Sequence, residues 1–157
     1  MTNKTTYLCF NCGNVIANEV YTILKAKSYF RFFKFKQIKC SYCNKNDTIT
    51  SVDFLLRDTI STLISKGYLV VEAQSIALYN NSYCTYLKFK NPLPIKCKPN
   101  FMSFSSVWKE SENAISLDKL DGHIIFCRYP NDSNLQSNVI KISKDLFNWS
   151  NTLPSMH

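Results

Sequence analysis

The sequence is short of glycine, of histidine and of long apolar runs, and each shortage removes a class of protein. Three glycines in 157 residues, with no low-complexity tract, argue against a disordered chain. No phosphate-binding glycine loop, HExxH or GxSxG motif occurs. No apolar run approaches the ~18 residues of a membrane span. The opening stretch MTNKTTYLCF has no apolar signal-peptide core. The expectation is a soluble protein of the cytosol. Of the two histidines, His157 is terminal and His123 stands alone, a pattern that suits structure better than catalysis. The carboxylates are scattered: Asp53 and Asp58 fall in an expected helix, Asp118 and Asp121 around a loop, and Glu72 in an apolar strand. No nucleophile stands with a base, so no catalytic residue is assigned. A small metal-dependent enzyme ranks third among the functional readings.

What the chain does have is cysteine and positive charge. Seven cysteines are an odd number for a disulfide framework. Four of them form two pairs, Cys9/Cys12 in CFNCGNV and Cys40/Cys43 in IKCSYCN, with 27 residues between the pairs. In a reducing compartment such pairs bind metal. Four thiolates suit Zn²⁺, which accepts tetrahedral sulfur coordination, and a four-sulfur site leaves no open position for substrate. Gly13, directly after Cys12, lets the backbone turn without a Cβ clash. The expectation is one structural Zn²⁺ on Cys9, Cys12, Cys40 and Cys43. Cys84, Cys97 and Cys127 read as small buried hydrophobes. A second site from Cys97, His123 and Cys127 is disfavoured, because His123 and Cys127 would stand about 13 Å apart along one strand.

The net charge of +8 is uneven. Residues 1–50 carry eight Lys/Arg against Glu19 and Asp47, a net of +6. Between Val20 and Asn46 there is no acid at all, and SYFRFFKFK at 28–36 interleaves bases with aromatics. The candidate binding residues are Lys25, Lys27, Phe30, Arg31, Phe32, Lys34, Lys36 and Lys39. Three readings stand side by side. Lysines on phosphates with aromatics stacked on bases would bind DNA or RNA. The same charge would suit an acidic surface of a host protein or ribonucleoprotein. In the third, phenylalanines face inward and lysines are merely solvated, as at Phe33/Phe35 against Lys34/Lys36. A similar alternation returns at TYLKFK, where Tyr86, Lys88 and Lys90 oppose Leu87 and Phe89.

The chain changes character near Thr48. Val52, Leu55, Leu56, Ile60, Leu63 and Ile64 recur at helical spacing, with a capping box at Thr50/Asp53 and a C-terminal glycine at Gly67. Strands are expected at 68–74, 82–90, 122–130 and 138–143, with a turn at Asn80-Asn81. Residues 100–121 read as loop with a turn of helix, and 143–149 as a short helix. The fold class is α+β, a cysteine-rich β module over 1–48 joined to a small antiparallel sheet packed by one main helix over 49–157. With no flexible linker between them, the two are expected to form one unit.

Two resemblances follow from these residues. Cys9-x-x-Cys12-Gly13 and Cys40-x-x-Cys43 resemble a zinc ribbon, a family that serves in nucleic-acid binding, protein docking and scaffolding. Asp53–Lys66, Lys66-Gly67-Tyr68 and Tyr86-Leu87-Lys88-Phe89 resemble a group of small proteins from phages of Gram-positive bacteria. In that group a zinc-binding segment precedes a helix, a KGY turn and a strand pair. Where the group carries a Cys/His segment, this chain has EAQSIA at 72–77. The resemblance covers about a quarter of the chain. It implies a phage or mobile-element origin more than an activity; the expectation set beside it is a non-enzymatic protein that binds host machinery in the host cytosol, an inhibitor of CRISPR nucleases being one instance. Direct regulation of DNA or RNA is the alternative.

Overall fold

The computed structural model describes residues 5–17, 38–79, 82–105, 107–108, 115–116, 123–129 and 134–156. Lys25, Lys27, Phe30, Arg31, Phe32, Lys34 and Lys36 lie outside the described residues, as does the Asn80-Asn81 turn.

The architecture is α+β with antiparallel sheets. In chain order the strands are β1 (Thr5–Cys9), β2 (Val15–Ile16), β3 (Ile49–Asp53), β4 (Val70–Tyr79), β5 (Ser82–Phe89), β6 (Ser103–Ser105), β7 (Val107–Trp108), β8 (Ile115–Ser116) and β9 (Ile124–Tyr129). Helix α1 (Arg57–Ser65) follows β3, and α2 (Leu135–Thr152) follows β9. The first sheet has the order β2-β1-β3, the second β4-β5-β9-β6, and β7 pairs with β8.

The helix expected from Thr50 starts seven residues later, at Arg57. Ile49, Thr50 and Val52 are β-branched and prefer the pleated backbone. They pair with β1 in the register Thr6↔Val52, Leu8↔Thr50 and Cys9↔Ile49. The expected capping box does not form. Instead the Asp53 carboxylate accepts the Leu55 N–H at 3.0 Å and its carbonyl accepts the Leu56 N–H, turning strand into helix. At the other end Gly67 has φ +91°. Its N–H reaches the Ile64 carbonyl and the Tyr68 N–H reaches Leu63, a double closure that needs a left-handed residue.

The strand expected at 138–143 is instead the second and third turns of α2, and the short helix expected at 143–149 is part of the same element. Two helices, not one, therefore pack the sheet. The wider window carries the helical period: Val139, Ser143, Leu146, Trp149 and Ser150 are the buried positions. The last turn of α2 is gripped by Lys66. Its Nζ donates to the carbonyls of Ser150 (3.0 Å), Asn151 (2.7 Å) and Leu153 (2.6 Å), where the helix dipole is negative. The Tyr68 hydroxyl donates to Pro154 O, and the Met156 N–H to Lys66 O. The Lys66-Gly67-Tyr68 turn thus closes one helix and clasps the other.

Strands β4, β5 and β9 fall where expected, with β4 extending to Tyr79. Residues 100–121, expected as loop, contain β6, β7 and β8. Between Gln74↔Tyr86 and Ala77↔Cys84 the register slips, leaving Ser75 and Ile76 opposite Thr85. At this bulge Ser75 donates to the Asp53 carboxylate, tying β4 to the end of β3. Thr85, wholly buried, donates to the Ser75 carbonyl and shares a hydrogen bond with the Tyr129 hydroxyl.

One core joins all of this. Leu8 and Val52 of the first sheet, Ile60, Leu63 and Ile64 of α1, Leu87, Phe89 and Ile125 of the second sheet, and Leu146, Trp149 and Leu153 around α2 form a single cluster. The other face of the second sheet buries Ala77, Cys84, Tyr86, Ile124 and Phe126. β5 is therefore covered on both faces, and Tyr86, paired with Lys88 in the sequence pattern, is buried rather than solvated. Its hydroxyl donates to Glu72, which also meets Lys88 at 3.7 Å.

Candidate metal centre

The two Cys-x-x-Cys segments fold into the same turn. In the first, the Gly13 N–H donates to the Cys9 carbonyl (2.8 Å) and the Cys9 N–H to Asn14 (3.0 Å). In the second, the Asn44 N–H donates to Cys40 (2.9 Å) and the Cys40 N–H to Lys45 (3.0 Å). The residue after the second cysteine is left-handed in both: Gly13 has φ +75° and Asn44 φ +57°. Glycine and asparagine are the residues that tolerate this conformation. Asn44 is the counterpart of Gly13 by position, the residue directly after the second cysteine of its pair.

The turns face one another through their sulfurs. Cys9 Sγ lies 3.7 Å from Cys43 Sγ, and Cys12 Sγ 3.8 Å from Cys40 Sγ. All four sulfurs lie within 4.8 Å of one another. Sulfurs about 2.3 Å from a central ion in a regular tetrahedron stand about 3.8 Å apart. The spacing therefore matches a four-thiolate metal site and is far too long for disulfides, whose S–S bond is about 2.05 Å. Cys9, Cys12, Cys40 and Cys43 are thus brought together as the sequence indicates, and they can hold a metal ion. Among the described residues, Cys97, His123 and Cys127 form no such group.

Cys9 and Cys40 are wholly buried, against Ile16; Cys12 and Cys43 are partly open. Without an ion, burial raises the Cys9 thiol, but hydrogen bonds from the Thr48 hydroxyl and the N–H groups of Cys12 and Asn11 outweigh it and bring the group down to about 7. Burial pushes Cys40 up to about 12, against N–H bonds from Cys43 and Tyr42. Burial and close packing thus oppose ionisation of both sulfurs together. A divalent cation removes the conflict by taking both as thiolates. Further donors reach the sulfurs: Thr48 Oγ1 lies 3.1 Å from Cys9, Asn14 Nδ2 3.2 Å from Cys12, and the Tyr42 N–H 3.4 Å from Cys40. Thr48 and Asn14 were not singled out from the sequence.

The first turn is seated on α1. Gly13 is buried; its carbonyl accepts the Ser61 hydroxyl at 2.6 Å, and a Cβ on Gly13 would stand 2.8 Å from the Ser61 carbonyl oxygen. The second turn is closed by residues 38–48: Lys39 bridges Asn46, and the Asp47 N–H reaches Ile38. Lys39 is exposed. Elsewhere the 96–101 segment and α2 border an open cleft of about 810 Å³, lined by Lys96, Lys98, Phe101, Asp145, Asn148 and Trp149 among others. The Trp149 indole donates into its floor, to Cys97 O at 2.8 Å.

Fold and site define a small α+β protein carrying a four-cysteine, metal-competent centre. Compared with protein-family models, curated proteins and solved structures, the chain gives no match. Among the described residues no helix is long and apolar enough to cross a membrane.

Proposed function

We propose that this chain is a phage-like, non-enzymatic binding protein. Cys9, Cys12, Cys40 and Cys43 hold one structural Zn²⁺ in a zinc ribbon, and the basic segment between the two turns engages a host protein or nucleoprotein. The observation that carries this reading is the paired turn itself. Four sulfurs at tetrahedral spacing would fill the coordination sphere of zinc and leave no position for a reacting water. The ion would then act on the fold, where four-thiolate sites contribute on the order of 10 kcal/mol.

The same turns fix where the basic segment departs and returns. Ile16, buried beside Cys9, precedes it by two residues, and Cys40, also buried, follows it by three. Residues 18–37 contain Lys25, Lys27, Arg31, Lys34 and Lys36 with no acid but Glu19. A cationic stretch of sequence bounded on both sides by residues of the cysteine cluster would suit capture of a polyanionic or acidic surface.

The test separates a protein target from a nucleic acid. Purified protein is titrated against labelled single-stranded and duplex DNA and RNA across a salt series. Seven phosphate contacts, one for each base between Val20 and Asn46 (Lys25, Lys27, Arg31, Lys34, Lys36, Lys39 and Lys45), would give a log–log salt slope of about −6. In parallel, capture from host lysate is run with and without nuclease. A partner retained after nuclease, lost on Lys34→Glu/Lys36→Glu, supports the protein-binding reading. Steep, salt-sensitive binding to bare nucleic acid, with nothing retained after nuclease, replaces it with the direct DNA- or RNA-binding regulator.

A further inference from the structure

The four sulfurs are unequally protected, and the inequality singles out one of them. Cys9 and Cys40 are wholly buried. Each also accepts a hydrogen bond from outside the sulfur set, Cys9 from Thr48 and Cys40 from the Tyr42 N–H. Cys12 and Cys43 are both partly open. Cys12 Sγ accepts the Asn14 side-chain amide at 3.2 Å. Cys43 Sγ is met, among the described residues, by neighbouring sulfurs, Cys9 at 3.7 Å and Cys40, and by no donor from outside the sulfur set. The two turns have matching backbone bonds, so the difference lies in one side chain. Two residues after Cys12 stands Asn14, whose amide reaches back to sulfur; two residues after Cys43 stands Lys45.

A metal-bound thiolate keeps a lone pair that attacks electrophiles. Hydrogen bonds to the sulfur draw on that pair, and burial keeps reagents away. We infer that Cys43 is the reactive sulfur of this centre, the point at which a soft electrophile modifies the protein and opens the metal site. This rests on the metal reading above. In the step, the Cys43 sulfur lone pair adds to the electron-poor carbon of a conjugated alkene. A carbon–sulfur bond forms, the alkene π pair moves to the adjacent carbon, and that carbon takes a proton from water. The resulting thioether is a poor metal ligand, the Cys43–metal bond breaks, and three sulfurs remain on the ion. Cys84 and Cys97 are buried, and burial raises the thiol of the partly open Cys127, so these three are slow competitors.

The experiment uses the full chain, with zinc first measured by elemental analysis. N-ethylmaleimide is added below one equivalent, the reaction is quenched, and labelled cysteines are mapped by mass spectrometry while a chromophoric chelator reports released zinc. The expected result is Cys43 labelled several-fold faster than Cys12, with zinc release tracking that adduct. Asn14→Ala should raise the Cys12 rate toward that of Cys43, and Lys45→Asn should slow Cys43. Zinc absent from the purified protein overturns the metal reading and this inference with it. Zinc present, but Cys12, Cys9, Cys40 or Cys127 labelled as fast as Cys43, overturns this inference alone.

Discussion

Substituting the residue that follows each Cys-x-x-Cys pair measures how firmly the metal centre is joined to the rest of the fold. Gly13 and Asn44 occupy matching positions with φ +75° and +57°. An alanine at either site bears the left-handed backbone at about 1–2 kcal/mol relative to glycine, less relative to asparagine. Only Gly13 has a second constraint. Its added Cβ would lie 2.8 Å from the Ser61 carbonyl oxygen and 3.4 Å from the Ser65 nitrogen, both backbone atoms of α1 that cannot rotate aside. Forcing the turn off the helix also strains the 2.6 Å bond from the Ser61 hydroxyl to Gly13 O. Overpacking of this kind costs about 1–3 kcal/mol. Gly13→Ala should therefore lose about 3 kcal/mol and Asn44→Ala about 1 kcal/mol, a difference of about 2 kcal/mol, most of which belongs to the contact with α1. Urea denaturation of the zinc-loaded protein, followed by tryptophan fluorescence, reads both. At this chain length the difference corresponds to about 4–8 °C in Tm. Equal losses for the two variants would refute the seating of the first turn on α1.

Two further outcomes follow from the same geometry. Lys66→Met removes a cation that bonds three carbonyls at the end of α2; it should cost about 2–3 kcal/mol by thermal denaturation, with Lys66→Arg recovering part of the loss. Cys40→Ser, or a strong chelator, should abolish zinc binding and expose amides of β1, β2 and β3 to hydrogen exchange; full protection in the metal-free chain would count against a structural metal.

The parts of the fold that were legible in the sequence are those whose signal is local. The cysteine spacing announces the four-sulfur cluster, because two Cys-x-x-Cys turns each present their thiols on one side. Gly67 announces its helix end, because a left-handed closure selects glycine. β5 and β9 are legible because β-branched and aromatic runs bounded by turn residues have few other solutions. The failures are places where a distant partner decides. Ile49–Asp53 has helical spacing with the residues after it, but β1, more than 40 residues earlier, offers a ladder that a helix cannot match. Val139 and Ile142 pass for a strand in a six-residue window and join the helical stripe only once Leu146 and Trp149 are counted with them. The seat of Gly13 on Ser61 has no sequence signal, because the two residues are 48 positions apart.

The two turns are supported by different parts of the fold. The first sits on α1 through the Ser61 hydroxyl. The second leans on the first sheet, through the Phe10 N–H to the Thr48 carbonyl and the burial of Cys40 against Ile16. The four sulfurs therefore mark a junction between helix and sheet, and a shift of α1 would disturb one pair of sulfurs before the other.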